Sequence, residues 1–121
     1  MKNLFMFFLV VLMVSIFTVK SFPIGTDSIT PFEKLRYQVG YHESRNNHNV
    51  KPGDNGLAFG KYQFHKRTFN WMKGMAGMND LDIAYEKDQE TLFKWAIENG
   101  YGRHWSCIKD GRVSIKINKG V

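Results

Sequence analysis

The chain has 121 residues, 17 lysines and arginines against 11 aspartates and glutamates, and 43% hydrophobic residues. That length is enough for one domain and not two. The net charge of +6 comes from scattered residues rather than a basic arm or block, so it argues against nucleic acid as a partner and favours polyanionic surroundings such as a cell wall or an acidic lipid surface.

Residues 1–21 read as a secretory signal, with Lys2 as the charged start and Leu4–Val19 as a nearly unbroken apolar run. Val19-Lys20-Ser21 offers a cleavage site after Ser21. The run is short for a membrane span, which needs roughly 20 residues. An uncleaved anchor is the alternative, and either way the rest of the chain works outside the cytoplasm, secreted or in the cell envelope. Without Lys2 and Lys20, 15 basic residues face 11 acidic ones, which leaves +4. Residues 22–30 form a short linker bearing Pro, Gly and Ser.

The first helix is expected over 31–45, with Thr30 as N-cap and Pro31 at the first helical position. At about 100° per residue, Phe32, Leu35, Val39 and Glu43 fall within one arc of roughly 80°. The apolar stripe therefore ends in an acid. Apolar surroundings and the negative end of the helix dipole both raise a carboxyl pKa, which suits a general acid. If the helix ends early, Glu43 points into water instead.

Asn46–Phe59 is dense in Asn, Gly, Pro and Asp and reads as an irregular loop with a turn at Pro52-Gly53-Asp54-Asn55. Gly60–Phe64 is a tight segment leading into a helix near Lys66–Lys73, and Gly74–Asp80 is a Gly/Met connector. A longer helix is expected over Ile83–Asn99, capped by Asp82 and stopped by Gly100. Its core stripe is Tyr85, Leu92, Phe93, Ala96 and Ile97, with Gln89 between them. In the tail 108–121, an Asp110-Gly111 turn signal and alternating Val113, Ile115 and Ile117 suit one hairpin. The fold class expected is α+β, mainly α, with a cleft between helices and an irregular loop.

The order Glu43-Ser44, polar loop, then Gly60-Lys61-Tyr62-Gln63-Phe64 resembles the lysozyme-like lytic transglycosylase superfamily. The later run Asp88-Gln89, then Asn99-Gly100-Tyr101-Gly102-Arg103-His104-Trp105-Ser106-Cys107, is similar to its resuscitation-promoting-factor branch. The resemblance spans Leu35 to Cys107 and implies a catalytic domain over 31–107. It implies Glu43 as the catalytic glutamate, Gln63 as a cleft-lining amide flanked by Tyr62 and Phe64, and Ser44, Asp54 and Trp105 as further substrate-binding residues. The branch's Cys-Glu-Ser stands here as His42-Glu43-Ser44, so Cys107, the only cysteine, has no internal partner. It is either a free buried thiol or an intermolecular bridge.

The activity implied is cleavage of peptidoglycan glycan strands by a monomer with no metal or cofactor. One glutamate suffices if the sugar's own C6 hydroxyl is the nucleophile, which gives an anhydro-sugar end. Hydrolysis calls for a second carboxylate, and Asp54 is the candidate, unless it only forms a turn. Gln63 has the alternative of satisfying buried backbone groups, and Trp105 that of packing in the core. His42 and His48 make a weak metal pair, and His65 and His104 read as isolated and solvated. A non-catalytic glycan-binding module and a membrane-tethered accessory cell-wall protein are the rival functional classes.

Overall fold

The computed structural model describes residues 29–114, so the signal segment, most of the linker, and the Ile115 and Ile117 part of the expected hairpin lie outside the described residues. The elements are helix α1 (Pro31–Ser44), strands β1 (Ala58–Phe59) and β2 (Phe64–His65), helices α2 (Lys66–Ala76) and α3 (Glu86–Glu98), a 3-10 turn (Gly102–His104) and helix α4 (Ser106–Lys109). This is a mainly helical α+β arrangement with one small antiparallel sheet, in which Ala58 faces His65 and Phe59 faces Phe64.

α1 starts where its residues dictate. Thr30 accepts from the Glu33 amide at 3.2 Å, and Glu33 accepts from the Thr30 amide at 2.8 Å, a reciprocal capping box with Pro31 inside it. The Thr30 amide and hydroxyl, both donating to Glu33 Oε2, hold that carboxyl below its ordinary pKa. The helix ends at Arg45 in the left-handed region (φ 57°).

The loop after it is more ordered than its composition predicts. Its turn lies one residue later than expected, at Gly53–Gly56, closed by Gly56 N–H to Gly53 C=O at 3.1 Å. Asp54 and Asn55 both take positive φ, at 48° and 56°, which Asx residues tolerate better than most. Gly53 and Ala58 exchange hydrogen bonds across this turn, so the loop continues into β1 as a small hairpin.

Two helix boundaries differ from expectation. α2 continues past Lys73 to Ala76 and stops at Gly77 (φ 67°). α3 begins at Glu86, not Ile83, with Tyr85 rather than Asp82 at the cap. The Asp82 side chain is committed to a local turn, accepting from Ala84 N–H at 2.9 Å, while its own amide donates to Asp88. Tyr85 consequently faces solvent instead of heading the buried stripe. The rest of that stripe is buried, and Gly100 (φ 83°) follows the helix end as expected.

The core forms where α1, the β1–β2 turn, α2 and α3 meet. Tyr62 stacks on Phe93 with centroids 4.5 Å apart, and Trp105 meets the rings of Phe93 and Phe64 edge-on at 4.8 and 5.2 Å. Val113 is buried and donates its amide to Cys107 C=O, so the packed body runs past Cys107, where a tail was expected. The Lys61 ammonium ties the turn to α3 through Glu86 and Glu90 at 3.1 and 3.0 Å, and Arg36 joins Glu90 from α1.

Gln89 is the polar pin of this core. It is fully buried, donates to Phe59 C=O and Ile83 C=O at 3.0 and 2.8 Å, and accepts from Tyr62 N–H at 3.2 Å. Gly60 has to be glycine, because a Cβ there would collide with the Gln89 amide nitrogen, and its φ is 74°. Gln89→Leu leaves a buried amide N–H and two carbonyls without partners and is expected to cost about 1–3 kcal/mol. Denaturant unfolding of the two proteins checks this, with an unchanged midpoint speaking against the pin.

Candidate active site

Glu43 occupies the last turn of α1, on the stripe that carries Leu35 and Val39 into the core. Its carboxyl is partly buried and opens into a cleft of about 320 Å³. The opposite walls come from three places in the chain. Asp54 and Ala58 belong to the small hairpin, Gln63, Phe64, His65 and Thr68 run from the β1–β2 turn into α2, and His104, Trp105 and Ser106 precede or open α4.

Burial raises the Glu43 pKa above the ordinary carboxylate value, and two groups pull it partly back. The first is the Cys107 thiol, which donates to Glu43 Oε1 at 3.8 Å, and the second is the positive charge of Arg112. The Cys107 thiol is itself buried and pushed up to about 11 by burial and by the Glu43 charge. It therefore stays protonated and able to donate at any pH near neutrality. An acid so placed holds its proton longer than a solvated one and can release it to a leaving oxygen.

Gln63 sits in the left-handed region (φ 50°), and its amide is turned onto the backbone. Its Oε1 accepts from Gly53 N–H at 3.1 Å, and its Nε2 donates to Gly60 C=O at 2.9 Å. A Cβ on Gly53 would meet that Oε1, so the glycine is what lets the two segments approach. Gln63 thus staples the Asp54 hairpin to the β1–β2 turn while its stem lines the cleft.

Asp54 forms the expected turn and also faces the cleft, where its Oδ2 lies 2.9 Å from His65 Nε2. His65 is therefore not isolated, which corrects the expectation. His104 also lines the cleft, and its ring lies 5.8 Å from that of Trp71. Trp105 is both core and wall: it is 5% exposed, and its indole N–H donates to Tyr62 C=O at 2.9 Å. Phe64 backs it.

Two expected substrate contacts are corrected. Tyr62 is completely buried against Phe93 and lines no part of the cleft. Burial, aided by the Glu90 charge, pushes its phenol well above the ordinary tyrosine value, which keeps it neutral. Ser44 is buried as well, and its hydroxyl donates to Lys61 C=O at 2.7 Å, tying the end of α1 to the turn. Both residues build the site from behind.

Thr68 and Ser106 line the cleft although no role was expected of them, and His65 and His104, expected to be isolated and solvated, line it too. For His65 and Thr68 the available signal was their position directly after Gln63-Phe64, and for the other two their place around Trp105. His48 is structural: its ring accepts from Lys61 N–H at 3.2 Å and donates to Ala84 C=O at 2.8 Å, which fixes its neutral tautomer.

The chain matches no family model, no curated protein and no solved structure.

Proposed function

We propose that this is an exported enzyme of lysozyme-like type that cleaves the glycan strands of peptidoglycan, with Glu43 as its single general acid and base. The observation that carries this reading is the Glu43 carboxyl, partly buried with a raised pKa, opening into a polar cleft walled by Asp54, Gln63, His65, His104 and Trp105. The motif order Glu43-Ser44 to Gly60-Lys61-Tyr62-Gln63-Phe64 to Trp105-Ser106-Cys107 supports the substrate class.

A glycosidic bond breaks when its leaving oxygen is protonated as the sugar ring gains oxocarbenium character. Glu43 supplies that proton and, as a carboxylate, takes one back from the incoming hydroxyl. When the hydroxyl is the sugar's own C6 group, no second carboxylate is required and the product carries an anhydro ring. Among the described residues the cleft holds one acid besides Glu43, namely Asp54, and that carboxylate is paired with His65. The intramolecular route therefore fits the residues better than hydrolysis. Digestion of purified peptidoglycan, with release of soluble fragments read by mass spectrometry, tests the reading. Intact strands after prolonged incubation would overturn it.

Cys107 supports Glu43 and is not itself a reacting group. In the folded protein it is expected to react slowly with a thiol reagent, and rapidly once denatured, because it is buried and stays protonated. Removing the donor by Cys107→Ala deprives the ionised Glu43 of a hydrogen bond, so its pKa rises further and the alkaline limb of the rate profile moves to higher pH. Cys107→Ser retains a donor and should stay close to wild type in activity. A reductant-sensitive dimer on a gel, or fast labelling of the native protein, would contradict the buried-donor role.

A further inference from the structure

We propose that Trp71, with His104 beside it, forms an aromatic subsite that lengthens the cleft and binds a further sugar ring of the same glycan strand. This rests on the reading of the cleft as a glycan site.

Thr68 lines the cleft, and Trp71 follows it by three residues on α2, so the two share one face of the helix. His104 lines the cleft as well, and its ring lies 5.8 Å from the Trp71 indole at a tilt of 46°. Trp71 thus adjoins two residues of the cleft wall, Thr68 and His104. Trp71 is 45% exposed, whereas Trp105 is 5% exposed in the core. It is nonetheless held in place. Tyr101 meets it edge-on at 5.4 Å, and Tyr101 is itself stacked on Trp95 at 5.4 Å with the planes 18° apart. A ring that is already immobilised loses little freedom when a ligand settles on it.

The chemistry selects the occupant. The electron-rich face of an indole attracts the C–H face of a pyranose, and a pyranose hydroxyl can bond to an imidazole. Continuity with the cleft makes the next unit of the same strand the natural occupant of this shelf. The function of the shelf is then to favour long strands over short fragments.

The test measures binding of chitin oligosaccharides of increasing length by titration calorimetry, in Glu43→Gln protein so that the ligand survives. Trp71→Ala in that background is expected to weaken the longest oligosaccharides about tenfold. The shortest that fills the cleft should bind as before. Trp71→Phe, which keeps a ring, should retain most of the gain with length, and thermal melting checks that each variant is folded. Equal affinity with and without Trp71 at every length overturns the subsite, and so does an equal loss at every length, which would place Trp71 in the central cleft. If Glu43→Gln protein binds no oligosaccharide of any length, the glycan reading of the cleft falls and the subsite with it. Binding of short ones with no gain on lengthening removes the subsite alone.

Discussion

Glu43→Gln is expected to lower the cleavage of purified peptidoglycan by about 10²–10⁴-fold, because the amide keeps the shape of the side chain but can neither give nor take the catalytic proton. The same variant should be at least as stable as wild type at neutral pH. Burial raises the folded-state pKa of Glu43 above its unfolded value, so the folded protein binds that proton more tightly. The stabilisation from the neutral carboxyl is complete below the unfolded carboxylate range and is lost as pH rises through the raised folded value. Glutamine, always neutral, suffers no such loss. The variant should therefore melt above wild type at neutral pH, and the gap should close in acid. Wild-type turnover by the variant would remove Glu43 from the chemistry, and a melting difference independent of pH would mean that its charge is not opposed by burial.

The parts of the fold written in local spacing were legible from the residues. Thr30, Pro31 and Glu33 announce the start of α1, Gly100 announces the end of α3, and the period of α1 carries Glu43 onto the buried side. The readings that failed depend on direction rather than spacing. Tyr62 and Gln63 are neighbours in a tight turn, yet one ring goes into the core and the other side chain lies along the cleft. Gln63 takes a positive φ in this turn, which nothing in the pattern of residue types displays. Ser44 looked like part of a site motif, but its hydroxyl is used by a carbonyl seventeen residues away. Asp82 looked like a helix cap and instead closes its own turn, which shortens α3 and strands Tyr85 in solvent.

Contacts between distant segments were the least legible. The Asp54–His65 pair exists because a two-strand ladder folds one hairpin across the other, and the Cys107–Glu43 contact spans 64 positions between α4 and α1. A lone cysteine in the sequence offers no hint that its thiol would rest on a carboxylate. The two contacts also account for the different surroundings of the two acids. Glu43 meets a weak donor in a partly buried place, whereas Asp54 meets an imidazole at an exposed one.

That difference decides which product is expected. Gln63→Ala should reduce activity about 10-fold or more, since it removes both hydrogen bonds that staple the Gly53–Gly56 turn to Gly60 and so loosens the wall carrying Asp54. The loss arises from misplacement of the substrate, because the Gln63 amide is occupied by backbone groups. Asp54→Asn should keep most of the activity: an asparagine side chain can still bond to His65, and the intramolecular route asks no carboxylate of this position. Anhydro-sugar ends should then dominate the digest of both wild type and Asp54→Asn. Hydrolysis reverses the outcomes for Asp54→Asn and for the sugar ends, because a water must be positioned and activated opposite Glu43 and Asp54 is the one other carboxylate lining the cleft among the described residues. Products heavier by one water, together with an inactive Asp54→Asn protein, would make the Asp54–His65 pair part of the machinery and the enzyme a hydrolytic lysozyme.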